Sequence, residues 1–325
     1  MTPDLQPNGT QTRVDDDPDG SLRRADLYGP QLKDGTLAPL TPWARLLAWL
    51  GELSTSKAER EERALEQRVA QLARQRTHTT HVAVISPKGG VGKTTCTLLA
   101  GDALARHGRL RCVALDANPD YGTLGSLAPD AQRSERSLID LLEHAEQLTS
   151  PAQLRPFLSA LDSGLHLLAA PAGVQAMAEL GAEPYARLVE LLDRFYELIL
   201  LDLGTGLSAP LARFGLQVAD QAVVVSTPEW VTADRVLAAL EDLQGATAAE
   251  HLTLVLNQAP AGQAVDRQVL EAAFRRRQVA RRVAIPYDPL LWRMLDAGAY
   301  EPSQLPRTTR LAVLELACAI AQELR

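Results

Sequence analysis

From about Thr80 onward, short apolar runs rich in Val, Ile and Leu alternate with segments whose apolar positions recur every three or four residues. The runs predict strands over His81–Ser86, Arg111–Asp116, Leu165–Ala169, Leu198–Asp202, Ala222–Ser226, Leu252–Asn257 and Arg282–Ile285. The periodic segments predict helices over Lys93–Arg106, Ser137–His144, Tyr185–Arg194, Val231–Leu243 and Val265–Arg277, and "LAVLELACAIAQELR" reads as a last packed helix. Strands this apolar must be covered on both faces. Their alternation with helices therefore predicts an α/β fold, a doubly wound and mostly parallel sheet whose ligands sit at the carboxyl ends of the strands.

The pattern before Thr80 differs. Residues 1–40 are rich in Asp, Pro, Gly and Thr and carry no apolar period, which predicts a disordered tail. Residues 41–78 predict a helical arm in two parts. "TPWARLLAWLG" sets Trp43, Leu46, Leu47 and Leu50 on one face behind a Pro42 at the first helical position. A second helix from Lys57 to Arg76 has only Leu65, Val69 and Leu72 as a thin stripe and reads as a connector or a weak coiled-coil arm. Residues 79–325 then form the main domain.

Composition narrows the class without choosing a partner. The 325 residues are 46% hydrophobic, enough for a sizeable core, and no apolar run has the length of a membrane span. With no basic and apolar leader at the N-terminus, the expected location is cytoplasmic, with association to the nucleoid as a variant. Cys96, Cys112 and Cys318 are isolated from one another, which predicts reduced thiols and neither a disulfide framework nor a metal knuckle. A formal charge of -7 excludes an overall basic coat, though not a local basic patch.

The candidate chemistry lies in "HVAVISPKGGVGKTTCTLL". A strand runs into a turn at Pro87–Gly92 and then into a helix. Glycines 89, 90 and 92 let successive backbone N–H groups, that of Val91 included, curl inward toward a phosphate, and the helix beginning at Lys93 adds its positive end. Lys93 supplies charge to the β- and γ-phosphates, and Thr94, followed by Thr95, offers a hydroxyl to Mg²⁺. The usual GxxxxGK[ST] pattern fails at its first position, which is Pro87, and a second lysine, Lys88, precedes the glycines.

"KGGVGKTT" resembles the deviant Walker A motif of the ParA/MinD family of P-loop ATPases. The resemblance implies that Lys93 serves its own nucleotide while Lys88 reaches across a homodimer to the partner's. It extends in order along the chain. "VALDANPDYGTLG" is similar to the first switch segment, with Asp116 holding a water on Mg²⁺. "LILLDLGTGL" is similar to the Walker B strand and second switch, with Asp202 in the magnesium shell and Gly204 near the γ-phosphate. "LVLNQ" places Asn257 on the adenine edge, and "VAIPYDPLL" sets Pro286 and the following loop beside the base. The implied cofactors are ATP and Mg²⁺. One position departs from the family: Asp116-Ala117-Asn118 carries an amide where a second carboxylate is usual, so slow hydrolysis is expected unless Asp120 or a partner compensates.

Three outputs fit such a switch. Partitioning or positioning of DNA or a large cargo would use the basic stretch "FRRRQVARR", with Arg275, Arg276, Arg277, Arg281 and Arg282 neutralising phosphates; the alternative is a solvated helix end. A MinD-like regulator of a membrane or secretion apparatus would work through an adaptor protein, since no basic amphipathic extension follows the last helix. A metallocluster carrier ranks last because the cysteines do not pair. The expected partners are thus a second copy of the chain, nonspecific DNA, and an unidentified activating or cargo protein.

Overall fold

A computed structural model describes residues 55–118, 122–171, 181–205, 209–243, 251–259, 274, 279 and 281–324. The tail, the Trp43 helix, Asp120, Arg275–Arg277 and, but for Phe274, the Val265–Arg277 helix lie outside the described residues.

Among the described residues, eight strands form one sheet: β1 Thr80–Ser86, β2 Cys112–Ala117, β3 Ser159–Ala160, β4 His166–Leu168, β5 Leu198–Thr205, β6 Gln221–Ser226, β7 Leu252–Ala259 and β8 Arg281–Pro286. Their order is β3-β4-β2-β5-β1-β6-β7-β8. Every neighbouring pair is parallel except β3 with β4 at one edge. The predicted doubly wound parallel sheet is what the chain forms.

The side-chain alternation of β2 and β5 decides what each face does. Val113, Leu115 and Ala117, with Ile199, Leu201 and Leu203, join one buried cluster. Its helices are α3 Leu138–Glu143, α4 Ala182–Asp193, α5 Pro210–Val218 and α6 Trp230–Leu243. The intervening Asp116 and Asp202 therefore point to the other face, which is covered by α2 Lys93–Gly108 and, toward β8, by α8 Arg307–Ala321. A further helix, α7 Pro289–Asp296, follows β8 and is capped by Asp288, whose side chain accepts the N–H groups of Leu290 and Leu291.

The charged helix read as a connector, α1 Thr55–Ala73, packs lengthwise on α2 and α8. Its thin stripe suffices: Val69 and Ala73 are fully buried and Leu65 partly so. Its acids meet the first turn of α8, Glu61 pairing with Arg307 and Glu62 with Arg310, both at 2.6 Å. Beyond its C-terminus, Arg76 pairs with Glu197 at 2.6 Å beside the start of β5. Among the described residues no helix is long and apolar enough to cross a membrane.

Candidate functional site

The chain steps from β1 to β2 on one side of the sheet and from β5 to β6 on the other, so the carboxyl end of β1 is a topological switch point. The loop of residues 87–92 fills it. Gly90 and Gly92 take left-handed φ values of 73° and 91°, and Gly92 caps α2, its carbonyl accepting the Cys96 N–H at 2.9 Å. A Cβ at Gly92 would stand 2.1 Å from Nδ2 of Asn257, so this position excludes a side chain on two grounds. Gly89 and Gly90 are exposed at the rim, Val91 is buried, and Thr94 and Thr95 are half-buried on the first turn of α2. Lys93, the first residue of α2, is buried.

Asn257 is buried at the end of β7, against the glycine loop. Its Nδ2 donates to the Val91 carbonyl at 2.8 Å, which ties the end of β7 to the loop. The next residue, Gln258, has a φ of 55° at the register shift between β7 and β8. Pro286 ends β8 opposite Ala259, and Tyr287 beyond it is exposed.

Asp116 and Asp202 are register partners on β2 and β5, both fully buried. Asp116 Oδ2 accepts the Leu124 N–H at 2.9 Å and Oδ1 accepts the Asn118 N–H at 3.2 Å, so the carboxylate folds its own loop around itself. A Cβ at Gly122 would come within 2.4 Å of that carboxylate, which makes the glycine the condition for the wrap. Burial raises the pKa of Asp116 to about 6 against the pull of these two amides. Burial, and then the charge of Asp116, raises Asp202 to about 7, with Thr94, Lys93 and Thr97 nearby opposing the rise. Neither oxygen of Asp202 has a hydrogen bond of proper geometry, and the Thr97 hydroxyl is spent on the Lys93 carbonyl at 3.0 Å. Gly204 is buried two residues further along β5.

A buried carboxylate with two unpartnered oxygens, a second carboxylate beside it and a threonine hydroxyl facing them is a donor set suited to a hard divalent cation such as Mg²⁺. Among the described residues no three His, Cys, Asp or Glu side chains gather into a ligand set, so waters and phosphate oxygens would supply the rest. Cys96, one turn into α2, is a buried free thiol whose pKa burial and then the Asp202 charge push up.

Lys88 is turned toward its own chain. Its Nζ donates to Glu229 Oε2 at 2.8 Å and to Thr232 Oγ1 at 2.9 Å, at the start of α6. Neither partner was found from the sequence, although Pro228-Glu229 opening a helix is a readable start signal. The basic stretch is only partly described: Arg281 pairs with Glu323 and Arg282 donates to the Val279 carbonyl at 3.1 Å, so these two are engaged within the chain.

A glycine loop wound between a central strand and a helix, over a buried lysine and two neighbouring strand-end carboxylates, makes this a nucleotide-binding α/β domain of the P-loop class. The chain belongs to the CobQ/CobB/MinD/ParA nucleotide binding domain family, which matches residues 82–299. It is 29% identical over 248 residues to the ESX-1 secretion-associated protein EspI of Mycobacterium tuberculosis, a match covering 74% of this chain and 36% of EspI. It is 34% identical over 175 residues to the chromosome-partitioning ATPase Soj of Thermus thermophilus, covering 52% of this chain and 64% of Soj. The chain thus spans about a third of EspI and under two thirds of Soj. Among solved structures, the septum site-determining protein MinD of Pyrococcus horikoshii, complexed with Mg-ADP, superposes with a TM-score of 0.58 at 21% identity, over 74% of this chain and 94% of that one. The membership implied by the motifs is the one found.

Proposed function

We propose that the chain is an ATP-dependent dimerising switch with slow, partner-stimulated hydrolysis. The observation that carries this reading is the pair of lysines around one glycine loop: Lys93 buried at the start of α2 and Lys88 at the loop's exposed rim. In this reading the loop amides and Lys93 hold the phosphates of ATP. Thr94, Asp116 and Asp202 hold Mg²⁺, which when bound neutralises phosphate charge. Asn118 orients water without taking its proton, and Lys88 adds positive charge to the nucleotide of a second protomer. Equilibrium binding of a fluorescent ATP analogue, with Mg²⁺ and with EDTA, tests the site. Micromolar binding that needs Mg²⁺ and is lost in Lys93→Ala supports it, and equal binding by Lys93→Ala refutes it.

Two outputs stand. Positioning of DNA or a large cargo has the support of the Soj match and of the arginines at 275–277. An association with a secretion apparatus has the support of the EspI match, which spans more of this chain than the Soj match does. We favour the second. ATP-dependent binding to nonspecific duplex DNA that falls steeply with salt, and is lost on changing Arg275, Arg276 and Arg277 to Glu, would reverse that choice.

A further inference from the structure

Three described groups meet at the rim of the phosphate loop with donors and acceptors matched. Lys88 Nζ donates to Glu229 Oε2 and to Thr232 Oγ1, and the Thr232 hydroxyl donates onward to the same Glu229 oxygen at 3.3 Å. Thr232 is fully buried, whereas the Lys88 and Glu229 side chains are 36% and 65% exposed. The Glu229 carbonyl accepts the N–H groups of Thr232 and Ala233, so the acid stands at the cap of α6. An ammonium is unfavourable at a helix N-terminus, where the dipole end is positive, and a carboxylate is favourable. Glu229 and the Thr232 hydroxyl together therefore hold Lys88 there against the dipole. Glu229 does not need Lys88 in return.

We infer that Glu229, with Thr232 as its buried anchor, is a latch that holds Lys88 within its own protomer and opposes nucleotide-driven self-association. The inference rests on the reading that Lys88 acts on a second protomer's nucleotide. A lysine held in one chain is not available to another, so the two contacts compete for one ammonium. The asymmetry of the latch makes it releasable. Its ion pair is exposed and thus weak, and the phosphates of a nucleotide bring several negative charges against the single one of Glu229. The device sets a threshold and does not block association.

The test is sedimentation velocity of the full chain at a series of protein concentrations in saturating ATP and Mg²⁺, for wild type, Glu229→Gln, Thr232→Val and Lys88→Ala. The latch predicts that Glu229→Gln and Thr232→Val both associate at concentrations about two- to five-fold lower than wild type, the span expected for an exposed pair. Thr232→Val keeps the acid and removes the hydroxyl that accepts from Lys88, so it separates release of Lys88 from loss of surface charge. Lys88→Ala should remain monomeric, and adding Glu229→Gln to it should change nothing. If Lys88→Ala is monomeric while both latch variants associate like wild type or more weakly, the latch is wrong and the reading of Lys88 survives. If Lys88→Ala associates like wild type, that reading itself fails.

Discussion

Replacing Gly92 by alanine perturbs the loop at its tightest point. Two costs follow from the geometry. The residue sits at φ 91°, where an L side chain strains the backbone by about 1–2 kcal/mol. The new Cβ would also lie 2.1 Å from Asn257 Nδ2, so the carboxamide must leave the Val91 carbonyl it now holds at 2.8 Å, and an unpaired buried polar group costs about 1–3 kcal/mol. The sum is about 2–5 kcal/mol, a large share of a domain's net stability. Urea denaturation of Gly92→Ala, Asn257→Ala and the double variant measures it. Because Asn257→Ala removes the group that is struck, the double variant should be less destabilised than the sum of the singles by about 0.5–3 kcal/mol. Strict additivity, or a single-variant loss below about 1 kcal/mol, would refute this account of how β7 braces the phosphate loop.

At the opposite end of β1, burial alone would push the His81 pKa down, but hydrogen bonds to Asp193, at 2.7 Å from Nε2, and to Asp220 raise it to about 9. A raised histidine stabilises the fold fully below about 6.5 and loses that stabilisation as pH climbs through about 9; the difference is worth about 3 kcal/mol. Thermal unfolding between pH 6 and 10 should show this loss in wild type and not in His81→Gln. Asp202→Asn should be more stable than wild type by at least about 1 kcal/mol in EDTA at pH 8, since it removes a buried charge whose oxygens accept no hydrogen bond and which stands beside Asp116, and should lose Mg²⁺-dependent nucleotide binding; calorimetry and ligand titration check the two halves. Asn118→Asp should raise single-turnover hydrolysis by about 10²- to 10⁴-fold with ATP affinity kept, as expected for a gained general base, and an unchanged rate would show that the amide is not limiting.

The large strands were legible because a fully buried parallel sheet writes its strands as unbroken aliphatic runs, and Leu198–Asp202 or Ala222–Ser226 admit little else. β3 was missed for the opposite reason: Ser159–Ala160 is a two-residue antiparallel edge with no run to read. The short helices Pro210–Val218 and Pro289–Asp296 were also passed over, although each begins with a proline at its first turn. In the site, the glycines and Lys93 were readable because loop chemistry is local in sequence. The pairing of Asp116 with Asp202 needs the strand order, which places β5 beside β2 although β3 and β4 intervene in the chain. The Lys88 contact with Glu229 joins residues 141 apart, and no periodicity carries that information. The docking of α1 was underestimated because a narrow stripe on a charged helix reads as solvent-facing until the acids find Arg307 and Arg310.

In the proposed switch, ATP joins two copies of this chain through Lys88. Multi-angle light scattering at fixed protein concentration, without nucleotide, with ADP and Mg²⁺, and with ATP and Mg²⁺, tests it most directly. A switch of this kind has the mass of one chain in the first two conditions and of two chains in the third, with Lys88→Ala held at one chain throughout while still binding ATP. A wild-type mass indifferent to ATP, or a Lys88→Ala protein that doubles its mass as wild type does, would contradict it.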